Sequence, residues 1–64
     1  MSHEITYQIR DLSGNWLTVR RTPTAPQLVS KEIESLQKTY KKDVRALDSA
    51  GMLVDYKPVI KEGL

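Results

Sequence analysis

Apolar and polar residues alternate strictly near the start of the chain. Within residues 4–10, Ile5, Tyr7 and Ile9 are each separated by one polar residue. This period of two is typical of a strand that buries one face. Because the alternation resumes at residues 16–21, we expect two consecutive strands with apolar residues on a shared face.

The segment between these strands predicts a tight hairpin turn. Asp11 supplies a side-chain acceptor for the turn backbone, and Gly14 tolerates a positive φ, so Leu12, Ser13 and Gly14 form a three-residue loop. The register that follows pairs Arg10 with Trp16, Ile9 with Leu17, and Tyr7 with Val19. In this register the apolar residues of the two strands meet on one face.

A helix is predicted after this hairpin. Prolines within residues 22–26 end the second strand, because proline cannot donate to a strand ladder. Thr24 and Gln27 have the spacing of a capping box, and Pro26 suits the first helical turn. The apolar positions that follow have helical spacing and predict an amphipathic helix of about four turns: Leu28, Val29, Ile33, Leu36 and Tyr40.

Residues 44–48 and 52–57 predict a second hairpin around Asp48 and Gly51. The same three-residue loop pairs Leu47 with Leu53, Ala46 with Val54, Arg45 with Asp55, and Val44 with Tyr56. This register turns Val44, Ala46, Val54 and Tyr56 inward. It also places the opposite charges of Arg45 and Asp55 side by side.

The order of elements is β-β-α-β-β, which belongs to the α+β class: a four-stranded antiparallel sheet with one helix on one face. We expect the strand order 2-1-3-4, because the second and fourth strands run into Pro23 and Pro58, and proline marks edge strands. Residues 1–58 form a single domain and residues 59–64 a flexible tail. The predicted core contains Ile5, Tyr7, Ile9, Leu17, Val19, Leu28, Val29, Ile33, Leu36, Tyr40, Val44, Ala46, Val54 and Tyr56.

One helix covers only one face of such a sheet, so the other face is open to solvent. The predicted register places ten residues there: Thr6, Gln8, Arg10, Trp16, Thr18, Arg20, Arg45, Leu47, Leu53 and Asp55. Most are polar, as an exposed face requires. Trp16, Leu47 and Leu53 are the large apolar exceptions, so we expect function on this face.

Length and composition narrow the classes of function. A chain of 64 residues with a formal charge of +2 and no cysteine has little room for an enclosed active site, so we expect no enzyme. Absence of cysteine favours a reducing, cytoplasmic compartment, and no apolar run is long enough to span a membrane. His3 is the one imidazole, and no metal-ligand spacing is present. We therefore predict no metal and no cofactor.

Two functions fit the open face. The first is a binding module for a protein partner or a second copy of the chain, since aromatic and arginine residues dominate interface energetics. The second is binding to single-stranded nucleic acid or RNA, in which bases stack on an aromatic ring beside basic residues. A cation–π contact between Arg10 and Trp16 explains those two residues without a ligand. The candidate binding residues are Trp16, Leu47, Leu53, Arg10, Arg20, Arg45, Gln8 and Thr18.

Overall fold

The computed structural model describes residues 3–59. The elements are β1 (His3–Arg10), β2 (Trp16–Thr24), α1 (Pro26–Tyr40), β3 (Val44–Leu47) and β4 (Leu53–Lys57). All neighbouring strands are antiparallel, and their order is β2-β1-β3-β4. The predicted α+β class, element order and strand order 2-1-3-4 are therefore confirmed.

Aspartate and glycine form both hairpin turns, as predicted. The Asp11 carboxylate accepts the backbone N–H groups of Ser13 and Asn15, each at 2.9 Å. The Asp48 carboxylate accepts the backbone N–H groups two and four residues further on, also at 2.9 Å. Gly14 has a φ of +89°, in the left-handed region that glycine enters without strain. Both aspartates thus stabilise turns.

The predicted register of the first hairpin is correct only near its turn. Arg10 lies opposite Trp16 as expected, but the pairing shifts at Val19, and Tyr7 lies opposite Arg20. A β-bulge inserts one unpaired residue and reverses which side chains face the helix beyond it. Arg20, predicted on the open face, therefore lies on the helix side, where it contacts Glu32 at 2.6 Å.

A second bulge makes the register of the other hairpin differ from the predicted one. The pairing shifts between Ala46 and Leu47, so Val54 has no partner and Ala46 lies opposite Asp55. Arg45 consequently lies opposite Tyr56 rather than Asp55. The predicted pairing of Arg45 with Asp55 is wrong, as is the inward placement of Tyr56.

The N-terminus of α1 differs from the predicted capping box. The N-cap is Ala25, and no side chain caps the helix there. The Thr24 hydroxyl instead accepts a hydrogen bond from the buried Tyr7 hydroxyl at 2.9 Å. Pro26 occupies the first turn as expected. Thr24 thus joins the core rather than the helix end.

The core is smaller than predicted. Its buried apolar members are Ile5, Tyr7, Ile9, Val29, Ile33, Leu36, Val44 and Ala46, with Val19 packed against them. Five residues predicted in the core are substantially exposed: Leu17, Leu28, Tyr40, Val54 and Tyr56. Leu17 is exposed because α1 packs mainly on β3 and β4 and more lightly on β1. Val54 is the unpaired residue of the second bulge, and Tyr56 lies on the open face.

Beyond β4, the chain contacts the C-terminal turn of α1. The Gln37 amide donates to the carbonyl of Pro58. The backbone N–H of Val59, the first residue of the predicted tail, donates to Asp43 at 2.8 Å. Residues 60–64 of that predicted tail lie outside the described residues. Within residues 3–59, no helix has the length and apolar character needed to cross a membrane.

Candidate functional site

The face of the sheet turned away from α1, here called the open face, gathers most of the predicted binding residues. The observed register alternates side chains between the two faces. It places these residues of β1 to β4 on the open face: Glu4, Thr6, Gln8, Arg10, Trp16, Thr18, Arg21, Pro23, Arg45, Leu47, Leu53 and Tyr56. Arg20 and Asp55 were predicted on this face but do not lie there, whereas Glu4, Arg21, Pro23 and Tyr56 lie there without having been predicted.

Four of these side chains form a tryptophan cluster, made of Arg10, Trp16, Arg45 and Tyr56. The guanidinium carbon of Arg45 lies 4.3 Å from the centroid of the Trp16 ring, and that of Arg10 lies 5.2 Å from it. The Tyr56 ring approaches Trp16 nearly perpendicularly, with centroids 6.2 Å apart. The predicted contact between Arg10 and Trp16 is confirmed. Cation–π attraction and edge-to-face packing hold the cluster together.

Two further predicted residues position Arg45. Gln8 accepts a hydrogen bond from Nε of Arg45 at 2.7 Å. The amide of Gln8 donates to the hydroxyl of Thr18 at 3.2 Å. Because the amide oxygen fixes Nε, the guanidinium of Arg45 is held against Trp16 while its terminal nitrogens are left for other partners.

Asp43 is a residue of this site that the sequence analysis missed. Its carboxylate lies 3.7 Å from the guanidinium of Arg10 and 3.5 Å from the hydroxyl of Tyr56, and it accepts the backbone N–H of Val59 at 2.8 Å. It precedes β3 directly, outside the alternating pattern that guided the prediction. Asp43 therefore anchors two members of the tryptophan cluster to the segment after β4.

The remaining apolar residues of the open face form a separate leucine pair. Leu47 lies opposite Leu53, whose side chain is 62% exposed. Leu47 is also opposite Thr6, whereas Trp16 is opposite Arg10. These two positions on β1 are separated by about 13 Å of strand. The predicted patch of Trp16, Leu47 and Leu53 is thus two apolar sites, divided by a polar row.

The open face carries positive charge that the described chain does not neutralise. Among residues 3–59, no carboxylate lies within salt-bridge distance of Arg21 or Arg45. Arg21 borders a shallow depression that also includes Glu4, Thr6 and Leu47. On the helix side, by contrast, Arg20 is paired with Glu32. An anionic group would therefore find free arginine donors on the open face.

Nothing in the described residues gathers the side chains of a metal site. No group of three or more histidine, aspartate or glutamate residues lies close enough together there to hold an ion. Comparison with known proteins adds no assignment: no family model, curated protein or solved structure matches the chain. The open face itself is therefore the basis for a functional proposal.

Proposed function

We propose that this protein is a small non-enzymatic binding module that recognises a protein partner, a second copy of the chain included, through its open face. The observation that carries the proposal is the convergence of Trp16, Tyr56 and two arginines on one exposed side of the sheet. Tryptophan, tyrosine and arginine are the residue types that contribute most to the free energy of protein interfaces.

Two large side chains of the open face are exposed, although Trp16 itself is half-buried. Tyr56 is 43% exposed and Leu53 is 62% exposed, although both are large and apolar or aromatic. The tryptophan cluster is fixed before binding by its own contacts and by Gln8. Such preorganisation lowers the side-chain entropy lost when a partner binds.

The test compares two sides of the same molecule. The immobilised protein is used to capture partners from the source cell, and bound proteins are quantified for wild type, for a Tyr56→Ala, Leu53→Ser double variant, and for Leu28→Ser. Leu28 is 47% exposed on α1, so it provides a matched loss of exposed apolar surface away from the open face. We expect specific partners to be retained by Leu28→Ser and lost from the double variant.

Self-association is tested separately by sedimentation equilibrium over a range of protein concentrations. If the partner is a second copy, the average mass rises with concentration for wild type and Leu28→Ser but not for the double variant. The proposal is rejected if the double variant retains every specific partner and also matches wild type in mass.

Binding of single-stranded nucleic acid is the second candidate, favoured by the joining of Tyr56 to Trp16 beside arginines. Two neighbouring rings are the arrangement on which successive bases stack. This function predicts that labelled oligo(dT) or oligo(U) binds, that affinity falls steeply with salt, and that Arg10→Ala weakens it. Absence of binding at low salt would exclude it.

A further inference from the structure

The arginines on the two sides of the sheet differ in their ion pairs. On the helix side, Arg20 contacts Glu32 at 2.6 Å. On the open face, Arg10 lies 3.7 Å from Asp43, whereas no carboxylate within residues 3–59 lies within salt-bridge distance of Arg21 or Arg45. The two arginines without an ion-pair partner in this part of the chain are therefore both on the open face.

We propose that the partner of the open face presents an extended acidic segment of a protein, whose carboxylates bind Arg21 and Arg45. This inference rests on the proposed function and specifies the chemistry of the partner. Charge complementarity carries it, because each of these arginines retains terminal N–H donors that match a carboxylate in geometry as well as in charge.

The spacing of the two arginines fits an extended chain. Arg21 is opposite Thr6, and Arg45 is opposite Gln8 two residues further along the same strand. Two strand spacings and two residues of rise separate their backbones by about 12 Å. In an extended segment, side chains four residues apart point to the same side and are separated by about 13 Å. Carboxylates at such positions reach both arginines at once.

The tryptophan cluster favours a carboxylate over a nucleotide base as the bound group. Arg45 already lies 4.3 Å from the centroid of the Trp16 ring, so it occupies surface on which a base would stack. Arg45 is itself held there by Gln8. The leucine pair extends the same face with apolar surface, which suits aliphatic side chains of a protein segment rather than a phosphate backbone.

The experiment uses a fluorescein-labelled peptide of alternating Glu and Thr, which places all its carboxylates on one side when extended. A peptide of alternating Gln and Thr is the uncharged control, and labelled oligo(dT) represents nucleic acid. Binding to the full chain is measured by fluorescence anisotropy at low and moderate salt. The variants are Arg21→Gln, Arg45→Gln and Arg20→Gln.

Arg20→Gln is the matched control, because it removes the same charge from the neighbouring position of β2 but on the opposite face. We expect the Glu-containing peptide to bind and the Gln-containing peptide not to bind. Arg21→Gln should weaken binding by about threefold or more, Arg45→Gln should weaken it by at least as much, and Arg20→Gln should leave it nearly unchanged. Arg21 is exposed, so its substitution tests the proposal even if Arg45→Gln disturbs folding.

Three results overturn the inference: no binding of the Glu-containing peptide at low salt, equal weakening by Arg20→Gln and Arg21→Gln, or tighter binding of oligo(dT) than of the peptide. Failure here differs from failure of the proposed function. A captured partner that is lost from the Tyr56→Ala, Leu53→Ser variant but retained by Arg21→Gln leaves the open face as an interface and excludes an acidic segment as its ligand.

Discussion

The Asp11 carboxylate makes the stability of the first hairpin turn depend on pH. Hydrogen bonds from the Ser13 side chain and then from backbone N–H groups, that of Asn15 first, lower its pKa from the ordinary value of 3.8. A carboxylate whose pKa is lower in the folded state stabilises the fold above its unfolded pKa and loses that contribution as pH falls through the folded pKa. The turn is therefore expected to lose stability as pH falls through the folded pKa of Asp11.

Replacing Asp11 with asparagine should reduce the acid sensitivity of the fold. We expect the urea midpoint of Asp11→Asn to fall less than that of wild type as pH decreases from about 5 to about 2. Ser13→Ala removes the largest cause of the pKa shift, so it should give an intermediate slope. Parallel acid profiles for all three proteins would contradict this account.

The hydroxyl of Tyr7 is buried and forms one side-chain hydrogen bond, to Thr24. Burial, partly opposed by the hydrogen bond with Thr24, raises its pKa above 10.0. Because the folded pKa exceeds the unfolded one, the stabilising contribution is complete below pH 10 and is lost as pH rises through the folded pKa. The buried phenol thus makes the core sensitive to alkali.

Tyr7→Phe tests this contribution. At neutral pH we expect a loss of about 1 kcal/mol in the free energy of unfolding, because the Thr24 hydroxyl loses its donor. Above about pH 10 the difference from wild type should shrink, since phenylalanine cannot ionise. Urea unfolding at both pH values measures the effect, and a constant difference would show that Tyr7 ionisation is not coupled to folding.

At the scale of elements, the uncapped start of α1 offers a stabilising substitution. Ala25 has the extended backbone of an N-cap, but its methyl group cannot accept hydrogen bonds from the first N–H groups of the helix. The first turn also contains no acidic residue. Ala25→Asp should raise the free energy of unfolding by about 1 kcal/mol through capping and the helix dipole. Ala25→Val, which cannot accept, is the control. Equal stability of the two variants would show that the cap is not limiting.

The same scale shows how much the sequence can predict. Alternation and turn chemistry correctly predicted the order of the elements and of the strands, because these depend on local pattern and on where proline falls. The end of β2 was predicted wrongly, since this edge strand continues through Pro23 to Thr24. The bulges at Val19 and Val54 were not predictable, since valine fits a regular strand equally well. The side chains that each bulge reorients make contacts with residues distant in the sequence, Arg20 with Glu32 and Tyr56 with Trp16. Consequently, the sequence predicted that the open face carries the site, but it did not predict that Arg21, Tyr56 and Asp43 belong to it.

For the molecule as a whole, the position of α1 decides which strands are buried. The helix lies over β3, β4 and part of β1. Leu17 and Ile9 are direct partners on the same face of the sheet, yet Leu17 is 49% exposed and Ile9 is 6% exposed. Contributions to stability should therefore differ sharply across a single strand pair.

Truncating these two partners tests that arrangement. Ile9→Ala should lower the free energy of unfolding by about 2–4 kcal/mol, whereas Leu17→Ala should cost less than about 1 kcal/mol, because little buried volume is lost at the uncovered edge. If Ile9→Ala does not fold, Ile9→Val should still cost about 0.5–1.5 kcal/mol. Native-state hydrogen exchange should likewise show slower exchange for β1 and β3 than for β2. A cost for Leu17→Ala equal to that of Ile9→Ala would contradict this arrangement, because it would mean that this side of β2 is covered in solution.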